Sequence, residues 1–184
     1  QMEGTISFVS EPGKGTRFTL VIPFLPDDSI ETQTGQTQST DAVKGIENDK
    51  ILLVEDYEIN MEIARFVLEN EGAQVQEAWN GKEAVDLFAA SEPGGYDVIL
   101  MDLMMPVMGG LEAAQCIRKL EREDAKTVPI IAMTANAFAD DEERSLAAGM
   151  DAHISKPLDA EKLIQVISDI CKKRKEHAKG DADI

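Results

Sequence analysis

Five polar residues of this chain stand just beyond short apolar runs. Glu55 and Asp56 follow Ile51-Leu52-Leu53-Val54, Asp102 follows Val98 to Met101, Thr134 follows Ile130 to Met133, and Lys156 lies shortly after Ala152 to Ile154. Counted from Asp56, their separations of 46, 32 and 22 residues share no period. In an open parallel sheet such residues converge, because the ligand site lies outside the carboxyl ends of the strands, near the point where strand order reverses. Three carboxylates meeting there would repel one another by roughly 4 kcal/mol per pair at 4 Å and an effective dielectric near 20. Positive charge must sit among them. Lys156 supplies one unit, and the remainder suits a hard divalent cation held by oxygens, with waters completing an octahedron, as Mg²⁺ prefers. A carboxylate nucleophile, a metal, a lysine and a hydroxyl are also the parts that phosphoryl transfer requires. The carboxylate would attack phosphorus, and Mg²⁺, Lys156 and the Thr134 hydroxyl would compensate charge on the equatorial oxygens.

The elements that must position this set are legible from Lys50 onward. Short apolar runs at Ile51 to Val54, Val75 to Ala78, Val98 to Met101, Ile130 to Met133 and Ala152 to Ile154 alternate with segments of helical period. The expected fold is therefore α/β, a doubly wound, five-stranded parallel sheet with helices on both faces. The spacing predicts helices over Ile59 to Asn70, Gly81 to Ala90, Gly110 to Arg122, Ala137 to Ala147 and Asp159 to Lys173. Gly72 and Gly149 fall where a left-handed residue ends a helix, and Asp159 where a side chain caps one. On the first helix Ile59, Ile63, Phe66 and Val67 make one apolar stripe, and Met61, Ala64 and Leu68 make another. One stripe must face the sheet, and the other is free to be buried or to dock a partner.

Composition narrows the function classes. The 184 residues carry a formal charge of −17, a field that repels nucleic-acid phosphates and anionic lipid head groups. Neither nucleic acid nor a membrane surface is an expected partner. The apolar runs are far shorter than the roughly 20 residues of a membrane span, and the first residues lack signal-peptide order. Cys116 and Cys171 have no metal-type or redox-type spacing and suit a reducing, cytoplasmic setting. Residues 27–49 carry −5 and no aromatic residue, so they are expected to form a flexible acidic linker. Before them, Thr5 to Val9 and Thr16 to Ile22 flank the turn Glu11-Pro12-Gly13-Lys14-Gly15, the signature of a hairpin. A lone hairpin is marginal in water, so residues 1–26 read as the closing piece of a larger domain.

Two resemblances follow from these motifs. Glu3-Gly4-Thr5-Ile6-Ser7 and Glu11-Pro12-Gly13-Lys14-Gly15-Thr16-Arg17-Phe18 resemble the carboxyl end of the ATP-binding domain of sensor histidine kinases. Residues 50–174 resemble a response-regulator receiver domain through four motifs in order. These are Leu53-Val54-Glu55-Asp56, Met101-Asp102-Leu103-Met104-Met105-Pro106-Val107-Met108-Gly109-Gly110, Met133-Thr134-Ala135-Asn136-Ala137 and Ser155-Lys156-Pro157-Leu158. The resemblance implies the flavodoxin-like strand order 2-1-3-4-5, a member of this family being one of the proteins from which that order is known. It implies Asp102 as phosphoacceptor, Asp56 and Asp102 as Mg²⁺ ligands, Glu55 as an acidic partner holding the metal, and the Met104 carbonyl as a further ligand. It also implies Thr134 as the switch hydroxyl, Lys156 as counterion to the phosphoryl group, and a cis Lys156-Pro157 bond. His153 departs from the family's common Tyr or Phe. The expected function is a receiver module of a hybrid sensor histidine kinase, taking a phosphoryl group from a histidine kinase phosphodonor domain or a histidine phosphotransfer protein. Residues 175–184 are expected to be a charged tail. The competing reading is a receiver-like interaction module without phosphorylation. A flavodoxin-type phosphate loop is excluded by Glu55-Asp56-Tyr57-Glu58, and an aspartate phosphatase by Met104 where an acid or base is needed.

Overall fold

The computed structural model describes residues 4–21, 23, 45–134 and 139–180. They form two units. The first is an antiparallel hairpin of β1 (Thr5–Glu11) and β2 (Gly15–Val21), with Phe8 opposite Phe18 and Ile6 opposite Leu20. Its turn closes through Lys14 N–H donating to the Glu11 carbonyl at 3.0 Å, with Gly13 at φ +79°. Ile6, Phe8, Phe18 and Leu20 are exposed.

The second unit is the expected α/β layer structure. Its strands are β3 (Lys50–Val54), β4 (Gln74–Ala78), β5 (Val98–Asp102), β6 (Ile130–Thr134) and β7 (Ala152–Ser155). All pair in parallel in the order β4-β3-β5-β6-β7, which is 2-1-3-4-5 when this sheet's strands are counted alone. The central strands β5 and β6 are buried at every residue, whereas edge strand β4 alternates, with Gln74 and Gln76 exposed. An uninterrupted apolar run therefore marks a strand covered on both faces.

Alternate strand residues feed two separate cores. Leu52, Val54, Ile99, Met101, Ile130 and Ala132 pack with Phe88 of α2 (Gly81–Ala90) and Ile117 of α3 (Gly110–Arg118). Ile51, Leu53, Val98, Leu100, Ile131 and Met133 pack on the other face with Met61 and Leu68 of α1 (Glu58–Asn70) and Leu163 and Ile167 of α6 (Ala160–Gly180). Each of these fully buried large side chains contributes roughly 1.5–3 kcal/mol, so the sheet's carboxyl edge is a rigid platform.

Several expected boundaries move. The expected linker 27–49 lies outside the described residues up to 44, but residues 45–49 are packed. Ile46 is fully buried, Asn48 N–H donates to the Gly72 carbonyl at 2.9 Å, and the Asp49 carbonyl accepts from Gln74 N–H at 2.9 Å. One apolar residue among polar neighbours gave no periodic signal. The helix expected to reach Arg122 ends at Arg118, and a short α4 (Glu123–Thr127) follows. The break has a tertiary cause. Arg122 turns back and donates to the carbonyls of Phe88 at 2.7 Å, Ser91 at 2.9 Å and Glu92 at 3.1 Å, and pairs with Asp124 through both oxygens. The helix expected to start at Ala137 is α5 (Ala139–Ala147), residues 137 and 138 lying outside the described set. The last helix runs through most of the expected tail, to Gly180, because Lys172 to Lys179 contains no breaker. Gly72 at φ +85° and Gly149 at φ +87° end α1 and α5, and Asp159 Oδ1 accepts from Lys162 N–H at 2.8 Å, as the spacing requires.

Candidate functional site at the carboxyl edge of the sheet

Four of the five strands deliver a residue by the same device, a parallel strand whose apolar run gives way to a polar residue at its carboxyl end. Glu55 follows β3, with its N–H on the Ala78 carbonyl at 3.1 Å; Asp102 ends β5, and Thr134 ends β6 in register with Ser155. Lys156 follows β7, its N–H donating to the Thr134 carbonyl at 2.7 Å. Glu55, Asp102 and Thr134 are buried, and Asp56 is exposed.

The structure brings the acids together. Carboxylate oxygens of Glu55, Asp56 and Asp102 all lie within 4.8 Å of one another. Lys156 Nζ donates to Glu55 Oε2 at 2.5 Å and to Asp102 Oδ2 at 2.8 Å. Burial alone would lower the pKa of this ammonium, but its hydrogen bonds and charge interactions with Asp102 and Glu55 outweigh that and raise it. The remaining oxygens are also engaged: Asp102 Oδ1 accepts from Met104 N–H at 3.2 Å, and Glu55 Oε1 from Asn60 Nδ2 at 2.9 Å. The Met104 side chain itself is 81% exposed. An all-oxygen donor set with one acid open to solvent fits a hard divalent cation.

The loop from Asp102 to α3 is held tightly. Gly110 N–H donates to the Leu103 carbonyl at 3.1 Å, and a Cβ on Gly110 would lie 2.2 Å from the Asp102 carbonyl oxygen. Val107 within this loop has φ +70°, a left-handed conformation that costs a β-branched residue roughly 1–2 kcal/mol. The Lys156-Pro157 bond is cis, as the resemblance implies. His153 is half-buried on β7 beside Ala132. Residues 135–137 of the third motif lie outside the described set.

Sequence reasoning missed Asn60. Its one signal was position, five residues beyond Glu55 in the first turn of α1, where a polar residue reads as solvated. It also missed Arg118, which holds the Gly149 carbonyl and the carbonyls of Ala125 and Val128, each at 2.8 Å. A cavity of about 1070 Å³ at the opposite, amino end of the sheet is lined by Arg122, Pro129, Asp151 and Lys173. Arg122 there is spent on Asp124 and on backbone carbonyls, a structural duty.

A parallel sheet in this order, with acids and a lysine gathered at its carboxyl edge, defines a receiver-type α/β module. The sequence profile of the response regulator receiver domain matches residues 51–168, and the chain belongs to that family. It is 38% identical over 167 residues to the aerobic respiration control sensor protein ArcB of Escherichia coli K12, covering 90% of this chain and 20% of the relative. It is also 38% identical to hybrid signal transduction histidine kinase I of Dictyostelium discoideum, over 67% of this chain and 7% of that protein. The chain thus spans a fifth or less of these relatives' length. Among solved structures, the receiver domain of sensor histidine kinase PA1611 from Pseudomonas aeruginosa PAO1, with a magnesium ion coordinated in the active site cleft, superposes with a TM-score of 0.62. That match has 35% identity and covers 68% of this chain and 98% of that one.

Proposed function

We propose that Asp102 accepts a phosphoryl group from a phosphohistidine in a Mg²⁺-dependent reaction, and that the chain is part of a hybrid sensor histidine kinase. One observation carries the reading. Lys156 Nζ stands 2.8 Å from Asp102 Oδ2 inside a cluster shared with Glu55 and Asp56. An Asp102 carboxylate oxygen forms the new bond to phosphorus as the bond from phosphorus to the imidazole nitrogen breaks. The electron pair leaves with the imidazole, which takes up a proton from solvent. Glu55, Asp56, Asp102 and the Met104 carbonyl would hold Mg²⁺, which supplies positive charge for a phosphoryl group bringing about two negative charges. Lys156 neutralises part of that charge, and the Thr134 hydroxyl bonds a phosphoryl oxygen and draws its loop inward.

The similarity to ArcB spans more residues than the 140 from Gly45 to Ile184, which supports a kinase parent whose ATP-binding domain ends in the β1–β2 hairpin. In that reading the receiver is cytoplasmic. Among the described residues no helix is long and apolar enough to cross a membrane. The donor is a histidine kinase phosphodonor domain or a histidine phosphotransfer protein. It docks on α1, where Ile59, Ile63 and Phe66 are exposed while Met61, Ala64 and Leu68 face the sheet.

Intact-mass measurement after incubation with acetyl phosphate and Mg²⁺ tests the assignment. One added phosphoryl group is expected, absent after chelation and absent in Asp102→Asn. Equal labelling of Asp102→Asn would leave the non-phosphorylated interaction module as the better reading.

A further inference from the structure

We propose that Asn60 is a positioning residue for Glu55, holding one carboxylate oxygen so that only the other pairs with Lys156 and the acid stays available to the cation site. The inference rests on the phosphoacceptor reading above and adds to it a residue that sets metal affinity.

Glu55 is 1% exposed, and its two oxygens are taken by different donors, Oε1 by Asn60 Nδ2 at 2.9 Å and Oε2 by Lys156 Nζ at 2.5 Å. The terminal torsion of a glutamate is soft, with broad wells. Without Asn60, the carboxylate can rotate to offer both oxygens to the ammonium, and the attraction between opposite charges in a buried site favours that rotation. An acid so paired is lost to a divalent cation. The amide of Asn60 prevents the rotation without adding charge, which a lysine or aspartate at the same place could not do.

Asn60 also breaks the local rules of its helix. It lies three residues after Tyr57, the N-cap, which makes no side-chain capping bond. A residue at that position commonly reaches back to the N-cap N–H as Glu or Gln, and Asn is among the poorer helix formers. The side chain instead reaches past the N-cap to Glu55, and such a departure from local preference is expected where a site is served. Packing does not demand the amide either. A cavity of about 170 Å³ lined by Asn60, Ile63, Lys156, Pro157 and Leu158 lies beside it.

Calorimetric titration of the full chain with Mg²⁺ alone tests the proposal. Asn60→Leu keeps the branched shape and removes the donor, and should weaken Mg²⁺ binding at least about tenfold, the lower end of the loss seen when a partner of a metal ligand is removed. Asn60→Gln, whose longer arm the cavity admits, should restore affinity to within about threefold of wild type. A residue that merely supported the helix would shift thermal stability and leave Mg²⁺ affinity unchanged, so an Asn60→Leu affinity within twofold of wild type overturns the proposal. Should Asn60→Leu not fold, the side-chain amide resonances of Asn60 in the wild-type chain give the second readout. They should move on addition of Mg²⁺, and their constancy while the Asp102 amide moves overturns it as well. A wild-type chain that takes up no Mg²⁺ is a different result, since it defeats the phosphoacceptor reading itself.

Discussion

Lys156 donates to Glu55 at 2.5 Å across 101 residues of sequence, and the same ammonium reaches Asp102 at 2.8 Å. The lysine therefore ties the end of β7 to the ends of β3 and β5, and serves as the resident cation of an acidic site. Its desolvation is offset only because two carboxylates meet it; removal of any one of the three leaves the others mismatched.

Lys156→Met should lower stability by on the order of 2–3 kcal/mol in chelator, because two buried carboxylates lose a charged donor. Saturating Mg²⁺ should restore part of the loss by mass action. The pH dependence follows from the raised ammonium pKa. Its stabilisation is fully present below the ordinary value of 10.5 and is lost as pH rises through the higher folded value. As pH rises above 10.5 the wild type should therefore lose stability more steeply in urea unfolding than Lys156→Met, in which Tyr96, its hydroxyl also held above the ordinary value by burial, still titrates. Equal midpoints for the two proteins in chelator at neutral pH would show the pair to be dispensable.

Asp124 is expected to govern acid stability at the far end of the sheet. Hydrogen bonds from Arg122 hold its carboxyl at about 2 rather than the ordinary 3.8, despite the opposing effect of burial. A depressed pKa contributes stability above 3.8 that disappears as pH falls toward 2. Asp124→Asn should cost about 1–3 kcal/mol at neutral pH and show a shallower loss over that acidic window. Parallel acid-unfolding curves for the two proteins would contradict the assignment.

Gly110→Ala should be among the most damaging single-methyl additions. The new Cβ would meet the Asp102 carbonyl oxygen at 2.2 Å and Met101 Cγ at 2.9 Å, and backbone of a central strand cannot yield. Overpacking of this kind costs about 1–3 kcal/mol or more, and here the displaced atom belongs to Asp102, the proposed acceptor. Thermal unfolding should fall accordingly and Mg²⁺ affinity with it; a variant equal to wild type in both would show that the α3 entrance moves freely.

The strands and the placement of the five polar residues at their carboxyl ends were legible because they depend on short apolar runs and on where those runs stop. The choice between the two stripes of α1 was not, since both have helical spacing and only the sheet's position decides. Met61, Ala64 and Leu68 meet Ile51 and Leu53, which leaves Ile59, Ile63 and Phe66 outward. The early end of α3 was illegible for a related reason. Lys119 to Arg122 are adequate helix formers, and the turn is imposed by carbonyls that Arg122 finds some 30 residues away. Asn60 escaped because its partner lies outside its own helix and no periodicity links the two.

The exposed stripe gives the prediction that separates donor docking from chemistry. Phe66 is 71% exposed on α1, on the same helix as the exposed Ile59 and Ile63, the kind of apolar patch that marks an interaction surface. Under the proposed docking on α1, a protein donor buries this surface as it aligns its phosphohistidine with Asp102, whereas acetyl phosphate needs only the strand-end residues. Phe66→Ser removes a contact of the hot-spot type, typically worth 2 kcal/mol or more at an interface centre, and should not disturb the core that Met61, Ala64 and Leu68 fill. The ratio of the transfer rate from a phosphohistidine protein to that from acetyl phosphate should therefore fall by roughly tenfold or more. Single-turnover transfer, read by intact mass at matched Mg²⁺, measures both rates on one preparation. A ratio unchanged by Phe66→Ser would move the docking face off α1 and leave Asp102 chemistry untouched.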